Sequence, residues 1–257
     1  MNPRTALIGG SGLESLLEEA QPLRVGTPYG PIKLQVGQIA EAEVIYLPRH
    51  GEKHTTPPHR INYRGNTYAL RAMDVKRVIA TNAVGSLNPD IGPSRLLVPH
   101  DVLDLTRSRP TTMYEGNPVV HVDMTHPFCP ELRGVLLEAG RLERIDIRDG
   151  GVIGCMEGPR FETPAEIKML QLLGADVVGM TTMPEAVLFR EMEICYATLA
   201  YVSNMAAGMQ AKITTSEVAA VGEKVLHIVR RVLAKAIPRI PVDPSCECGR
   251  ALRQATV

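Results

Sequence analysis

The chain has no tryptophan, only three phenylalanines and five cysteines among 257 residues, and no excess of charge of either sign. Lys and Arg together number 28, as do Asp and Glu. A protein that lives on nucleic-acid phosphates carries a basic surplus and aromatic stacking platforms, so that class is excluded. No apolar run approaches the roughly 20 residues that span a bilayer. The opening MNPRTALIGGSG enters a strand-like run directly, without the basic and then apolar regions of a signal peptide. An odd number of cysteines, mostly set in apolar stretches, does not describe a secreted disulfide framework. Together these absences leave a cytoplasmic enzyme as the expectation, with neither nucleic acid nor membrane as partner.

What the chain does contain is ordinary globular material: 44% hydrophobic and 22% charged residues, enough for a large core. No repeat, low-complexity stretch or linker divides it, so residues 1–257 read as one domain. About residues 238–257 form a tail that carries Cys246-Glu247-Cys248. A C-x-C pair supplies two of the four ligands of a structural zinc, and no histidine lies nearby in sequence. The pair therefore reads as two thiols on a late tail, or as a tail disulfide if the source is a hyperthermophile.

Short apolar runs alternate with helical patterns. Thr5–Ile8, Val44–Leu47, Val78–Thr81, Val152–Met156, Asp176–Met180 and Ala197–Val202 suit strands covered on both faces. Pro130–Arg141, Thr163–Leu173, Pro184–Met192 and Thr215–Ile237 suit helices, the second opening as an N-cap followed by proline. This alternation predicts a wound α/β sheet. Residues 106–128 are irregular, and a long loop in a compact domain is commonly functional or an interface element.

Wound sheets bind ligands beyond the carboxyl ends of their strands, and the conspicuous polar groups fall there. Gly9-Gly10-Ser11-Gly12 follows the first run, Pro48-Arg49-His50-Gly51 the second, Thr81-Asn82-Ala83-Val84-Gly85-Ser86 extends the third, and Met180-Thr181-Thr182 closes the fifth. Glycines allow close approach to an anion, and Arg offers a bidentate fork. No acidic cluster for magnesium accompanies them, so the set favours inorganic phosphate over a metal-bound triphosphate. A second constellation joins Phe161 and Glu162 to Asn204. An aromatic beside a carboxylate and an amide suits a flat heterocycle, with Phe161 on a face and the polar pair on an edge. Other readings of these residues are a core phenylalanine and a carboxylate at a helix N-terminus.

The strings Ile8-Gly9-Gly10-Ser11-Gly12-Leu13, Pro48-Arg49-His50-Gly51, Asn62-Tyr63, Thr81-Asn82-Ala83, Glu157-Gly158-Pro159-Arg160-Phe161 and Met180-Thr181-Thr182-Met183-Pro184-Glu185 resemble the purine nucleoside and methylthioadenosine phosphorylase family, in order, from about residue 5 to the C-x-C tail. The resemblance implies a single-domain phosphorylase fold, a mixed twisted sheet flanked by helices, assembled as a homotrimer or a dimer of trimers. It implies reversible phosphorolysis of a purine nucleoside to free base and pentose 1-phosphate, with phosphate as co-substrate and no metal or cofactor. By motif match Ser11, Arg49, His50, Asn82, Ala83 and Thr181 would hold phosphate, and Met180 would lie against the sugar. His121 matches a residue that reaches into a neighbouring subunit's sugar pocket. Catalytic work would fall to Asn204, Glu162 and His50.

Within that family this sequence resembles the 6-oxopurine-specific members. Methylthioadenosine enzymes carry aspartates at the positions of Asn204 and Ala206. An acid there protonates N7, whereas Asn204 donates to a 6-oxo group and accepts from N7–H. Glu162 occupies a position that is serine in adenine-specific members; its carboxylate accepts from N1–H, which adenine lacks. Thr215 falls where a histidine bonds the 5′-hydroxyl or a small apolar residue meets a methylthio group, so Glu162 and Thr215 are the expected specificity residues. Inosine and guanosine are the expected substrates, with methylthioinosine or methylthioadenosine as the alternative. A purine or phosphate sensor would lack the Arg49-His50 pair, and a water-using nucleosidase would lack the phosphate donors.

Overall fold

A computed structural model describes residues 5–10, 13–51, 54–241 and 243–256. Two of the loops that carry the expected anion site begin at the ends of its central strands. β1 (Thr5–Gly9) lies between β4 (Ala42–Pro48) and β5 (Arg77–Ser86), parallel to both. Beyond β4 come β3 (Ile32–Ile39) and β2 (Glu18–Val25) as an antiparallel meander. Pro22 sits in β2, where the edge position tolerates a residue without an N–H. The other half of the sheet holds β10 (Val177–Gly179), β9 (Val152–Met156) and β7 (Asp101–Leu105). A branch leads from β5 through β11 (Cys195–Met205) to β6 (Leu96–Val98) and β8 (Ile147–Asp149).

Period-two alternation explains why the sheet is covered on both faces. Leu7 and Ile79 point to a layer made by α2 (Pro130–Glu143) and α5 (Thr215–Ala236). Ala6, Ile8, Val78 and Ala80 point the other way, to α1 (Tyr63–Ala72) and α4 (Thr182–Glu191). α5 buries Val225, Val229, Val232, Leu233 and Ala236, a stripe at helical spacing that fixes it against the sheet. α3 (Pro164–Leu172) packs Ile167 and Leu170 against Val178 and Ala206.

β5 is the branch point. Its first residues, Arg77–Ala80, pair with β1, and its last, Gly85 and Ser86, pair antiparallel with β10. β11 runs along the opposite side throughout, with a bulge between Val202 and Asn204. Between Ala80 and Gly85 one edge of β5 is therefore open. Ala83 is the exposed residue of an otherwise buried strand. The sheet splits there, and the splitting makes the crevice.

The mixed sheet expected from the sequence is present, with two differences. The strands ending the apolar runs at Thr81 and Val202 continue to Ser86 and Met205, so Asn82, Ala83 and Asn204 stand on strands rather than in loops. Residues 106–128 contain no helix or strand, as expected.

Candidate active site

The residues expected to hold an anion come from the strand and loops that meet at the split. Arg49 is 4% exposed and its guanidinium is held on three sides. Nε donates to Glu185 Oε1 at 2.5 Å, Nη2 to Glu185 Oε2 at 3.0 Å and Nη1 to the Thr81 carbonyl at 2.9 Å. Five N–H groups minus these three leave one on each terminal nitrogen for a ligand. Burial opposes the charge, but the Glu185 carboxylate outweighs it and keeps Arg49 protonated. Glu185 is itself steadied by a 2.8 Å bond from Tyr196 Oη.

Asn82 and Thr181 meet across the crevice. Asn82 Nδ2 donates to Thr181 Oγ1 at 2.7 Å, while Thr198 Oγ1 donates to Asn82 Oδ1. Because the Thr181 hydroxyl already accepts, its own proton is free to be donated. Thr181 precedes α4 without using its side chain as a cap. His50 adds a ring whose Nδ1 lies 2.9 Å from the Thr56 carbonyl and which stacks on His54 at 4.3 Å between centroids. That bond assigns the proton to Nδ1 and leaves Nε2 open. Ser11, the remaining expected phosphate ligand, lies outside the described residues; the neighbouring Gly10 carbonyl is fixed by Tyr46 Oη at 2.8 Å.

His50 carries a pH prediction. Burial and the Arg49 charge lower its pKa from 6.5 to about 4, against the pull of the Thr56 carbonyl. Between those values the unfolded chain binds a proton that the native state does not. Phosphate-free stability is therefore full above pH 6.5 and falls as pH drops towards 4, by about 3 kcal/mol at most. Urea midpoints at pH 7 and 4.5 check this. His50→Gln should flatten the difference, and saturating phosphate should reduce it.

The second constellation is where sequence left two readings for Glu162. Thr163 caps α3 and forms a reciprocal capping box with Glu166, whose carboxylate also binds Arg160. The helix N-terminus is thus satisfied by Glu166, not by Glu162. Glu162 is 7% exposed, and its Oε1 is buried without a hydrogen-bond partner. Burial pushes the carboxyl up, despite a bond from its own backbone N–H. A buried, unpartnered carboxylate oxygen costs the empty protein about 1–3 kcal/mol, which a ligand N–H offsets. Glu162 lines two clefts, one of about 550 Å³ with Met156, Gly158 and Arg160, the other of about 270 Å³ with Phe161, Pro164 and Ile213. Phe161 is 36% exposed, so it is a cleft wall rather than a core residue. Asn204, at the β11 bulge, accepts from Ser203 Oγ at 2.7 Å and donates to the Met205 carbonyl at 2.8 Å. One amide N–H and one lone pair remain.

Three expected residues stand apart. Ala206 is buried and packs with Leu87, Ile167 and Leu170. Thr215 is exposed in the first turn of α5, because Thr214 is the cap and accepts from the Glu217 N–H. Ile213, two residues earlier, lines the cleft instead. His121 is exposed, its N–H bonded to the Ala255 carbonyl at 2.7 Å, and among the described residues it makes no hydrogen bond to another expected site residue.

The Phosphorylase superfamily profile matches residues 4–238. The chain belongs to that superfamily. It is 46% identical over 263 residues to the 6-oxopurine nucleoside phosphorylase of Pyrococcus furiosus, covering 99% of each chain. It is likewise 46% identical to a probable S-methyl-5′-thioinosine phosphorylase of Methanothermobacter thermautotrophicus, covering 98% of this chain and 89% of that one. Among solved structures, a methylthioadenosine phosphorylase from an antarctic soil metagenomic library superposes with a TM-score of 0.93 at 32% identity, covering 100% of this chain and 93% of the other.

This superfamily member also relies on a residue that sequence reasoning missed. Arg109, in the irregular 106–128 segment, is buried and ties the crevice loops together. Its guanidinium donates to the carbonyls of Met180 (2.6 Å), Met183 (2.6 Å), Met156 (3.2 Å) and Glu157 (2.5 Å) and to Tyr63 Oη (2.9 Å). The loops after β9 and β10 are thereby held at one spacing. Gly158 shares that closeness: its φ is +64°, and a Cβ there would meet Met180 Sδ at 2.6 Å. The only hint in sequence was a lone Arg-Pro in a long loop; the five acceptors come from distant segments. Arg109→Leu should destabilise the fold by about 3–5 kcal/mol, because a buried charged donor set is lost and its acceptors are stranded. Arg109→Lys should fold better yet raise the nucleoside KM more than that of phosphate, as separate titrations would show.

Proposed function

We propose that the protein is a purine nucleoside phosphorylase that cleaves 6-oxopurine nucleosides, inosine and guanosine, by phosphorolysis to free base and pentose 1-phosphate in purine salvage. The observation that carries this reading is the buried, unpartnered Glu162 Oε1 beside Phe161. An acceptor without a donor selects a ring that brings one, and N1–H of a 6-oxopurine is such a donor.

In this reading phosphate rests in the cradle of Ser11, Arg49, His50, Asn82, Ala83 and Thr181. The glycosidic bond breaks with oxocarbenium character, and the dianion under the sugar stabilises that charge in a dry site. The base leaves with negative charge on its ring. Asn204 offers its free N–H to the 6-oxo group, and Glu162 holds N1–H; as the anionic base takes a proton from solvent at N7, the Asn204 carbonyl lone pair accepts from the N7–H so formed. Met180 lies against the sugar. Phosphate attacks the anomeric carbon with inversion, and no enzyme nucleophile or cofactor takes part. His121, exposed on its loop, completes the sugar pocket of a neighbouring subunit in a trimer or dimer of trimers, in the cytoplasm.

A second reading, methylthioinosine phosphorylase, is favoured by one observation. Ile213 rather than Thr215 lines the cleft, and an apolar side chain there suits a 5′-methylthio group.

The test is hypoxanthine release from inosine with and without phosphate. Phosphate-dependent release with pentose 1-phosphate of inverted configuration supports the reading. Equal release into free pentose without phosphate contradicts it and indicates a water-using nucleosidase.

A further inference from the structure

The C-x-C pair of the tail is not alone in space. The chain brings Cys129, at the start of α2, and Cys195, at the start of β11, to Cys246 and Cys248, and the four Sγ atoms lie within 4.8 Å of one another. All four are free thiols. Cys246 Sγ stands 3.7 Å from that of Cys129 and 3.4 Å from that of Cys195. A tetrahedron of sulfurs about 2.3 Å from a central zinc has edges of about 3.8 Å, against 3.7 and 3.4 Å for these two pairs and no more than 4.8 Å across the set. The cluster is at the amino end of β5 and β11, opposite the crevice, since Cys195 is level with Arg77 whereas Asn204 is level with Gly85.

The surroundings fit thiolates. Arg77 is 0% exposed and its Nη1 donates to Cys195 Sγ at 2.9 Å, with Cys246 Sγ 3.8 Å away. Glu131 receives the same Nη1 at 2.8 Å and also the Ser245 N–H and hydroxyl at 3.2 Å, so it orients both the guanidinium and the tail. Cys129 occupies the N-cap position of α2 without capping it by its side chain. A helix N-terminus lowers the cost of a thiolate placed there. A thiolate donor set with buried hydrogen-bond support describes a closed structural site rather than an open catalytic one.

We propose that Cys129, Cys195, Cys246 and Cys248 form a tetrathiolate site for one zinc ion. Binding displaces the thiol protons to solvent, and Arg77 balances part of the negative charge left on the sulfurs. The consequence is mechanical. The metal clips the tail to β11 and α2, and the tail in turn holds the 106–128 segment through the Val120–Thr256 bridge and the His121–Ala255 bond.

Metal content of the intact protein, purified under reducing conditions without chelator, tests the site independently of any nucleoside activity. About one zinc per chain is expected. After its removal, cobalt should bind one per chain and give the ligand-field and charge-transfer bands of tetrahedral thiolate coordination. The Cys246→Ser, Cys248→Ser double variant should lose the bound metal and those bands while keeping the fold, as followed by circular dichroism. Should that variant not fold, the cobalt titration of the unaltered protein decides. Metal-free protein that gives no thiolate–cobalt bands overturns the proposal. So does non-reducing peptide mapping of freshly trapped protein that finds the four cysteines joined as disulfides.

Discussion

Replacing Glu162 by serine is expected to lower kcat/KM for inosine by roughly 100-fold, while the phosphate dependence stays unchanged. Glu162 Oε1 is buried without a partner, and Glu166 performs the capping that Glu162 would otherwise be needed for. Its work is therefore reserved for a ligand. A charged hydrogen bond is worth about 1.5–3 kcal/mol, or a factor of roughly 10 to 150 in rate through binding of the transition state. Serine also removes the mismatch against N1 of adenine, which has no hydrogen to give. Glu162→Ser combined with Asn204→Asp should therefore move preference towards adenosine. Retention of full inosine selectivity in the double variant would remove both side chains from base recognition.

The second large effect is at Arg49. Arg49→Met removes the cation from a buried pair and leaves Glu185 charged and unpaired, apart from Tyr196 Oη. The loss of one partner costs about 3–5 kcal/mol of stability. It also removes the two N–H groups that remain for the anion, so KM for phosphate should rise by 100-fold or more. Adding Glu185→Leu separates the two effects. With both charges gone, most of the stability should return, because the desolvation penalty goes with the pair. Phosphate affinity should not return. Urea unfolding and phosphate titration on the two variants would show the split. A double variant that regains phosphate affinity would place the anion elsewhere.

Sequence and structure agree where local chemistry is enough. β9 ends where its apolar run ends, and α2, α3, α4 and α5 start within two residues of their expected positions, since proline and threonine mark those starts locally. The strands β5 and β11 run longer than their apolar runs, because Asn82 and Asn204 hydrogen-bond within the sheet and are not turn residues here. β2 escaped notice because it is an edge strand, mostly exposed and rich in charge. α1 escaped because glycine interrupts its pattern, although Asn62 caps it by accepting from the Gly65 N–H.

The candidate site divides in the same way. Arg49, His50, Asn82, Thr181, Phe161, Glu162 and Asn204 are recognisable from motifs that end strands or open helices. Arg109 is not, because its five acceptors lie in segments 46 to 74 residues away. The cysteine cluster is not either: two of its members look like apolar core residues until β11 and α2 bring them beside the tail. Thr215 opens α5 just after its cap Thr214 and is exposed, whereas Ile213 lines the cleft, a difference of orientation that spacing in the sequence does not show.

The measurement that bears most directly on the central claim is phosphate-dependent base release from inosine, guanosine, adenosine, methylthioadenosine and methylthioinosine, side by side. Two polar mismatches of about 1–3 kcal/mol each predict that kcat/KM for inosine exceeds that for adenosine by about 100-fold or more. Equal or faster turnover of the 6-amino nucleosides would contradict the assignment of Glu162 and Asn204 to a 6-oxopurine edge.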